Sequence, residues 1–209
     1  MLDIINGFRT IFPIPLGQGA TFEPELSEKL AAAAAKEAAV SGLHVTFAPM
    51  VDLVRDARWG RVMESTGEDT YLNCLFSEAM VRGFQGEDLK EPYNIAACVK
   101  HFAGYAPPRQ AVTITPWSFQ NIPCANFTFP PTKPALTRVQ PGHDSFNTIN
   151  GVPATGNKWL MRHILREEMG FDGVSYPTGP LSRRSSTTDT VKTEKKQPSE
   201  PPKPVLTLI

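Results

Sequence analysis

The chain has 209 residues, with 21 Lys or Arg and 21 Asp or Glu, so its formal net charge is zero. This length supports one domain with a substantial core, and the balanced charge gives no field to attract nucleic acid or an anionic membrane. No apolar run approaches the roughly 20 residues of a membrane-spanning helix. Three scattered cysteines exclude a disulfide framework or a zinc site, and we expect neither a metal nor a cofactor.

Two helices are predicted in the first half of the chain. Pro24 suits the first turn of a helix, and residues 25–41 are rich in Ala, Leu, Glu and Lys, which are good helix formers. Gly42 follows where such a helix would end. The apolar spacing within residues 71–84 predicts a second amphipathic helix.

Two strands are predicted between and after these helices. Residues 43–48 form an apolar run closed by Pro49, and residues 95–99 form another that leads directly into Lys100 and His101. Alternation of strands and helices indicates a parallel sheet with crossover helices. Functional residues just past strand ends are typical of an α/β barrel.

Two later stretches break this pattern. Residues 107–141 contain eight prolines and no acidic residue, and residues 175–209 contain six prolines. Neither a strand nor a helix tolerates such proline density. Between them, residues 145–174 return to α/β sequence, with Gly156-Asn157 placed to cap a helix over residues 158–169.

Two explanations remain open for these stretches. One is a proline-rich loop followed by a disordered tail. The other is translation out of frame over residues 106–143 and 175–209. A one-base shift of the codons from Val174 to Gly179 permits Val-Ile-Ser-Asp-Trp, and the same shift over residues 110–140 permits helix-forming sequence. Under either explanation, we expect residues 106–143 to be irregular and residues 175–209 to be a disordered tail.

Several motifs occur in one order along the chain, and each is weak by itself. They are Thr10 to Gly17, Arg58 to Asp69 with its Arg-Trp-Gly-Arg start, Lys100-His101-Phe102, and Ser145 to Pro153. Together they make residues 3–105 and 145–174 resemble the N-terminal (β/α)8 domain of bacterial β-glucosidases of glycoside hydrolase family 3. The resemblance implies an incomplete TIM-type barrel over residues 1–174 that begins about two elements late. The first seven residues lack the charged, apolar and small-residue sections of a signal peptide, so we expect none in this chain.

The resemblance also implies a sugar-binding subsite, formed in this family by an Asp, an Arg and a Lys-His pair. The matching residues are Asp3, Arg61, Lys100 and His101. Asp3 would accept hydrogen bonds from sugar hydroxyls, and the other three would donate. Charged groups make the stronger hydrogen bonds to hydroxyls, and these contacts can tighten as the ring flattens in the transition state. The expected ligand is a β-glucoside or a small β-linked oligosaccharide.

Other residues of these types are given structural roles. Arg55 and Arg58 are expected to pair with nearby acids, and Trp59 is expected to pack rather than to hold a sugar. Asp52, Asp56 and Glu64 are the acids available to these arginines. His44, His143 and His163 show no evident partner spacing and are assigned to structure or surface.

Retaining β-glucosidases need two carboxylates, a nucleophile and an acid/base. The resemblance implies that the nucleophile is the Asp of a Ser-Asp-Trp after the strand that follows residues 170–173. Here that Asp exists only in the shifted frame, across the codons of Pro177 and Thr178. The acid/base belongs to a second, α/β-sandwich domain of the family. We therefore expect this chain to retain no catalytic residue, and loss of the nucleophile removes the covalent route.

Other functions remain open. One is a β-xylosidase, and another is a catalytically inactive sugar-binding or structural remnant. The β-N-acetylhexosaminidase branch of the family typically has Pro and His where this chain has Ala103 and Tyr105, so the resemblance favours a glucosidase. A periplasmic or secreted parent protein is compatible with the family, but the compartment stays unassigned.

Overall fold

The computed structural model describes residues 1–102, 105, 141–145, 148–149 and 152–176. Within them the helices are α1 (Pro15–Gly19), α2 (Pro24–Val40), α3 (Thr70–Gln85) and a π-helix (Trp159–Glu168). The strands are β1 (Val45–Thr46), β2 (Ala96–Ala97), β3 (Val99–Phe102), β4 (Pro141–Asp144), β5 (Thr148–Ile149), β6 (Val152–Pro153) and β7 (Val174–Tyr176). Short 3₁₀ turns lie at Val62–Glu64 and Ala154–Gly156.

The main strands pair in parallel in the order in which they occur along the chain. Leu2 bridges Thr46 of β1, and β1 pairs with β2. Met50 bridges Lys100 of β3, β3 pairs with β4, and β4 pairs with β7. A separate antiparallel pair is formed by β5 and β6. Sequential parallel strands with helices in their connections are the building plan of a (β/α)8 barrel. The predicted fold class, a partial barrel of this type, is confirmed.

The two long helices pack against each other and form the α2–α3 layer. Pro24 occupies the first turn of α2, as predicted, and Asp69 caps α3 by accepting a hydrogen bond from the Leu72 amide at 2.7 Å. The buried face of α2 consists of small residues, whereas α3 supplies large ones. The core they share includes Ala31, Ala34, Ala35, Ala38, Phe76, Met80, Val81 and Phe84.

Gly83 sets how closely the two helices approach. A Cβ at this position would lie 2.2 Å from the Glu28 carbonyl oxygen and 2.7 Å from the Ala31 Cβ. Real Cβ atoms do not make such contacts, so α3 reaches this distance from α2 only because residue 83 has no side chain.

The strands differ in detail from the prediction. The single strand expected over residues 95–99 is divided, since the Cys98 amide bonds to the Thr46 and Ala48 carbonyls and β3 then pairs with β4. Lys100 and His101 consequently lie inside β3 rather than beyond a strand end. The strand expected over residues 43–48 is confined to β1, because its partner β2 spans only two residues.

The two predicted irregular stretches include residues that lie in strands, at the end of the first stretch and at the start of the second. Residues 141–143 belong to β4, and residues 175–176 belong to β7. Proline is tolerated at the first residue of a strand, and Pro141 occupies that position, with β3 and β7 on either side. The remainder of residues 106–143 and of 175–209 lies outside the described residues, and so does the predicted change of reading frame.

The predicted helix over residues 158–169 is present in an unexpected form. It runs from Trp159 to Glu168 as a π-helix, and the Met169 amide at its end bonds to the Ile164 carbonyl, five residues back. Asn157 accepts a hydrogen bond from the Leu160 amide at 3.1 Å, which confirms the predicted cap. In the described part of the chain, no helix has the length and apolar character needed to cross a membrane.

Candidate functional site

A cluster of charged side chains surrounds β3 and brings together the four residues predicted from the sequence. Lys100 and His101 are successive residues of β3, joined by a cis peptide bond. The strand register is irregular between Lys100 and Phe102, and such a bulge re-aims side chains. Both side chains thereby face the segment that carries Arg61. We call Asp3, Asp52, Arg61, Glu64, Lys100 and His101 the charged cluster.

Lys100 is the most deeply buried cation of the charged cluster. Its side chain is 4% exposed, and its ammonium group forms an ion pair with the Asp3 carboxylate. Glu64 Oε2 lies 3.7 Å from the same nitrogen. A buried charge needs such partners, because its desolvation is otherwise uncompensated. Asp3, in contrast, is 58% exposed, so the cluster opens to solvent on the Asp3 side.

Arg61 is fixed by a bidentate pair with Glu64. Its Nε donates to Glu64 Oε1 at 2.6 Å, and its Nη2 donates to Oε2 at 2.5 Å. This hydrogen-bonded pair raises the pKa of Arg61 further above its ordinary value, with Tyr105 acting in the same direction. The planar guanidinium is thus held in one orientation. Glu64 contacts both predicted cations, Arg61 and Lys100, and so couples their positions.

His101 is engaged on both of its ring nitrogens. Nδ1 lies 2.7 Å from Asp52 Oδ2, and Nε2 lies 3.2 Å from Arg61 Nη1. The side chains of His101 and Asp52 are both almost completely buried. Tyr105 covers the imidazole, with 4.2 Å between ring centroids, and its ring also lies 5.3 Å from the Arg61 guanidinium carbon.

Arg58, another arginine of the same segment, pairs with Asp56 outside the charged cluster. Arg58 donates to Asp56 at 2.6 Å on the surface, and this pair holds the pKa of the Asp56 carboxyl at about 2. Trp59 packs edge-on toward Tyr105 with 6.0 Å between ring centroids. Arg61, in contrast, contacts His101 of β3, and its assignment to the sugar subsite stays a prediction.

Two histidines assigned to structure or surface have partners that the sequence analysis missed. His143, in β4, packs edge-on against His101 at 5.7 Å between ring centroids, and burial lowers the pKa of His143. Adjacent parallel pairing of β3 and β4 makes this contact. His163 hydrogen-bonds Glu167 at 2.8 Å, and their separation of four residues in a helical segment was a signal available in the sequence.

The arrangement provides a half-open polar surface with an acceptor in Asp3 and donors in Lys100 and Arg61. Such a set suits a neutral ligand rich in hydroxyl groups. In the described residues, no group of three or more His, Cys, Asp or Glu side chains is arranged to hold a metal ion. The expected nucleophile position, Pro177 and Thr178, lies outside the described residues, directly after the end of β7 at Tyr176.

Comparison with known proteins places this fold and site in context. The model of the glycosyl hydrolase family 3 N-terminal domain matches residues 2–177. A periplasmic β-glucosidase of Salmonella typhimurium is 38% identical over 174 residues, covering 83% of this chain and 23% of that enzyme. A β-xylosidase of Formosa agariphila is 37% identical over 175 residues, covering 80% of this chain and 24% of that enzyme.

Solved structures of β-glucosidases also match this chain. A β-glucosidase from Listeria innocua matches with a TM-score of 0.80 and 41% identity, covering 90% of this chain and 27% of that one. Structures of that enzyme in complex with glucose and, as a mutant, with laminaribiose also match. The chain thus spans about a quarter of the length of these relatives. The match over residues 2–177, the sequence identities and the shared barrel fold show that this chain belongs to glycosyl hydrolase family 3, within its N-terminal domain.

Proposed function

We propose that the chain carries the sugar-binding subsite of a β-glucosidase-type, exo-acting glycoside hydrolase, and that it does not itself catalyse hydrolysis. The observation that carries this proposal is the ammonium group of Lys100, buried within β3 between Asp3 and Glu64. Burying a lysine with two carboxylates is a costly way to stabilise a fold. Binding of a ligand through fixed, charged donors and acceptors would explain this arrangement.

The expected ligand is a terminal β-D-glucosyl residue. Its hydroxyl groups lie around the ring, where Asp3 can accept hydrogen bonds while Lys100 and Arg61 donate them. His101 forms the wall beside Arg61. Hydrogen bonds to charged partners are about twice as strong as those between neutral groups, so three such groups can orient a ring in water. The Listeria innocua relative was solved in complex with glucose, which supports this ligand class.

The absence of catalysis is proposed from the expected nucleophile position. A retaining enzyme needs a carboxylate there to attack the anomeric carbon, and residues 177 and 178 are Pro and Thr. Neither side chain can form a glycosyl ester. We attribute these residues to a change of reading frame, which the DNA sequence tests directly. An uninterrupted frame whose shifted codons do not encode Ser-Asp-Trp would contradict this explanation.

Hydrolysis of a chromogenic β-glucoside by the purified chain tests the proposed function. We expect no turnover above the buffer rate. Turnover that disappears in both Asp3→Ala and Lys100→Met would show that the chain is a working glycosidase and would overturn the proposal of inactivity. Turnover that survives both substitutions would indicate a contaminating enzyme.

A β-xylosidase-type subsite is the second candidate, because a β-xylosidase is about as similar to this chain as the β-glucosidase is. Xylose lacks the hydroxymethyl group of glucose, so the two sugars present the same ring hydroxyls to the charged cluster. Parallel titrations with glucose and xylose separate the candidates. Tighter binding of xylose would favour the xylosidase type.

A further inference from the structure

Asp52 is a buried carboxylate that the proposed sugar subsite does not use. Its side chain is 4% exposed and lies behind His101, with Oδ2 2.7 Å from the imidazole Nδ1. The segment that carries Asp52 is tied to the segment that carries Arg61. The Asp52 backbone carbonyl accepts a hydrogen bond from Ser65 Oγ at 2.7 Å. The Val54 amide also donates to the Gly67 carbonyl at 3.0 Å.

The opposite side of the imidazole shows which nitrogen carries the proton. Arg61 Nη1 lies 3.2 Å from His101 Nε2, and a guanidinium can only donate hydrogen bonds. Nε2 must therefore accept, which leaves the ring proton on Nδ1. Nδ1 donates that proton to Asp52, an ionised carboxylate that can only accept. An imidazolium would direct an N–H at the guanidinium, placing two donors and two positive charges against each other.

We propose that Asp52 is a positioning residue for Arg61 and acts through His101. We call this series of contacts from Asp52 through His101 to Arg61 the relay. Asp52 fixes the Nδ1–H form of the ring, and the bare Nε2 then holds one edge of the guanidinium while Glu64 holds the other. In this role His101 holds Arg61 through Nε2, which carries no proton. The sequence analysis had instead expected His101 to donate a hydrogen bond to the sugar. The consequence for sugar affinity rests on the proposed function, whereas the protonation of the ring does not.

The two edges of Arg61 are not equivalent. Glu64 supplies most of the charge and a bidentate geometry, but a bidentate pair still allows the guanidinium to rotate with the carboxylate about the shared axis. The contact at Nη1 removes that freedom. Tyr105, which covers the imidazole and approaches the guanidinium carbon, keeps the relay away from water on that side. Arg61 also hydrogen-bonds Tyr105, so the ligand can use only the guanidinium hydrogens that Glu64, His101 and Tyr105 leave over.

The wild-type chain tests the proposal without any ligand. Long-range ¹H–¹⁵N correlation spectra of protein labelled with ¹⁵N-histidine distinguish the two neutral forms of the ring and the imidazolium. We expect His101 to show a protonated Nδ1 and a bare Nε2 near neutral pH. A protonated Nε2, alone or together with Nδ1, would overturn the relay. Spectra of His44→Gln, His143→Gln and His163→Gln assign the His101 signals by elimination.

Asp52→Asn gives a second test, with Asp56→Asn as its matched control. Asp56 is an aspartate of the same segment, but it pairs with Arg58 on the surface and not with His101. An amide at residue 52 can offer either its oxygen or its NH2 group to Nδ1, so the ring should no longer hold one form. We expect the Nε2–H form to appear and the affinity for glucose to fall about tenfold, the loss of roughly one charge-assisted hydrogen bond. Asp56→Asn should change neither.

The outcomes separate the relay from the proposed function. An unchanged ring form in a folded Asp52→Asn chain would overturn the relay, and so would a changed ring form with unchanged glucose affinity. Failure of the wild-type chain to bind glucose would instead contradict the proposed function, while its histidine spectrum would still decide the relay. Should Asp52→Asn not fold, the wild-type spectrum alone decides.

Discussion

The α2–α3 layer and the charged cluster lie in one small fold, but different forces hold them. The layer buries apolar side chains such as Phe76 and Phe84 against the alanines of α2, and burial of apolar area is favourable in itself. The cluster instead removes charged groups from water, which costs free energy that ion pairs only partly offset. The layer therefore stabilises the fold, whereas the proposed function of the cluster is to bind a sugar. Substitutions in the layer should change stability, and substitutions in the cluster should change binding.

The largest effect is expected at the centre of the layer. Phe76 is 0% exposed, and Phe76→Ala should lower the free energy of unfolding by about 3–5 kcal/mol, since truncating a buried phenylalanine removes apolar burial and leaves a cavity. Urea denaturation followed by circular dichroism measures this change. Tyr71→Ala, on the exposed side of the same helix, should change it by less than about 0.5 kcal/mol. Equal effects of the two substitutions would contradict the packing described for α3.

A smaller loss is expected where the two helices touch. Gly83→Ala would place a Cβ against the Glu28 carbonyl and Ala31, which must move apart. Alanine is the better helix former, but overpacking should dominate and lower the free energy of unfolding by about 1–3 kcal/mol. Gly156→Ala is the control, because an added Cβ at Gly156 meets no atom within 4 Å. A stabilised Gly83→Ala chain would show that the layer is looser than described.

The third prediction moves to the charged cluster. Glu64→Gln removes the charge that pairs with Arg61 and faces Lys100. Glucose affinity should fall about tenfold, because one charge-assisted interaction is weakened. The urea midpoint should fall less than in Phe76→Ala. Isothermal titration with glucose and urea denaturation give the two quantities.

Glu78→Gln is the control for this comparison. Glu78 also pairs with an arginine, Arg82 at 2.7 Å, but on the exposed side of α3, and exposed pairs contribute little. We expect glucose affinity to be unchanged in this variant. A Glu64→Gln chain that loses stability and keeps its affinity would reverse the roles assigned to layer and cluster.

The smallest effect concerns the surface pair next to the cluster. Arg58 holds the pKa of Asp56 at about 2, below its ordinary value of 3.8, through side-chain and backbone hydrogen bonds. Because the pKa is depressed in the folded chain, the stabilising contribution is complete above the ordinary aspartate pKa and is lost as the pH falls through about 2. Carboxyl ¹³C titration should show the depressed value. Arg58→Ala should return it toward 3.8 with no measurable change in the urea midpoint, and a pKa that stays at about 2 would exclude Arg58 as the cause.

The sequence predicted the layer better than the cluster for a physical reason. Helices α2 and α3 depend on local signals: helix formers, Pro24 at the start, and apolar residues at helical spacing. The pair between Lys100 and Asp3 joins residues 97 positions apart, and local patterns carry no information about such contacts. The four predicted subsite residues were identified from the family resemblance. The structural roles of Asp52 and Glu64 behind them required the geometry.

The strand lengths and the position of His143 also depend on contacts that local sequence patterns do not encode. Strand lengths are set by the partner strand, so β1 is restricted to the two residues that β2 can pair with. His143 reaches His101 because β4 lies beside β3, and that pairing is a property of the sheet. The π-helix over Trp159–Glu168 has no distinguishing periodicity in so short a segment. Its amphipathic character was predictable, and its hydrogen-bond pattern was not.

Equilibrium titration with glucose, comparing the wild-type chain with Lys100→Met, tests the central claim most directly. Lys100→Met keeps the length of the side chain and removes the buried charge, and Lys29→Met, on the exposed face of α2, is the matched control. We predict saturable binding by the wild-type chain and by Lys29→Met, with at least about tenfold weaker binding by Lys100→Met. Equal glucose affinity of a folded Lys100→Met chain, or no binding by the folded wild-type chain, would contradict the assignment of the charged cluster as a sugar subsite.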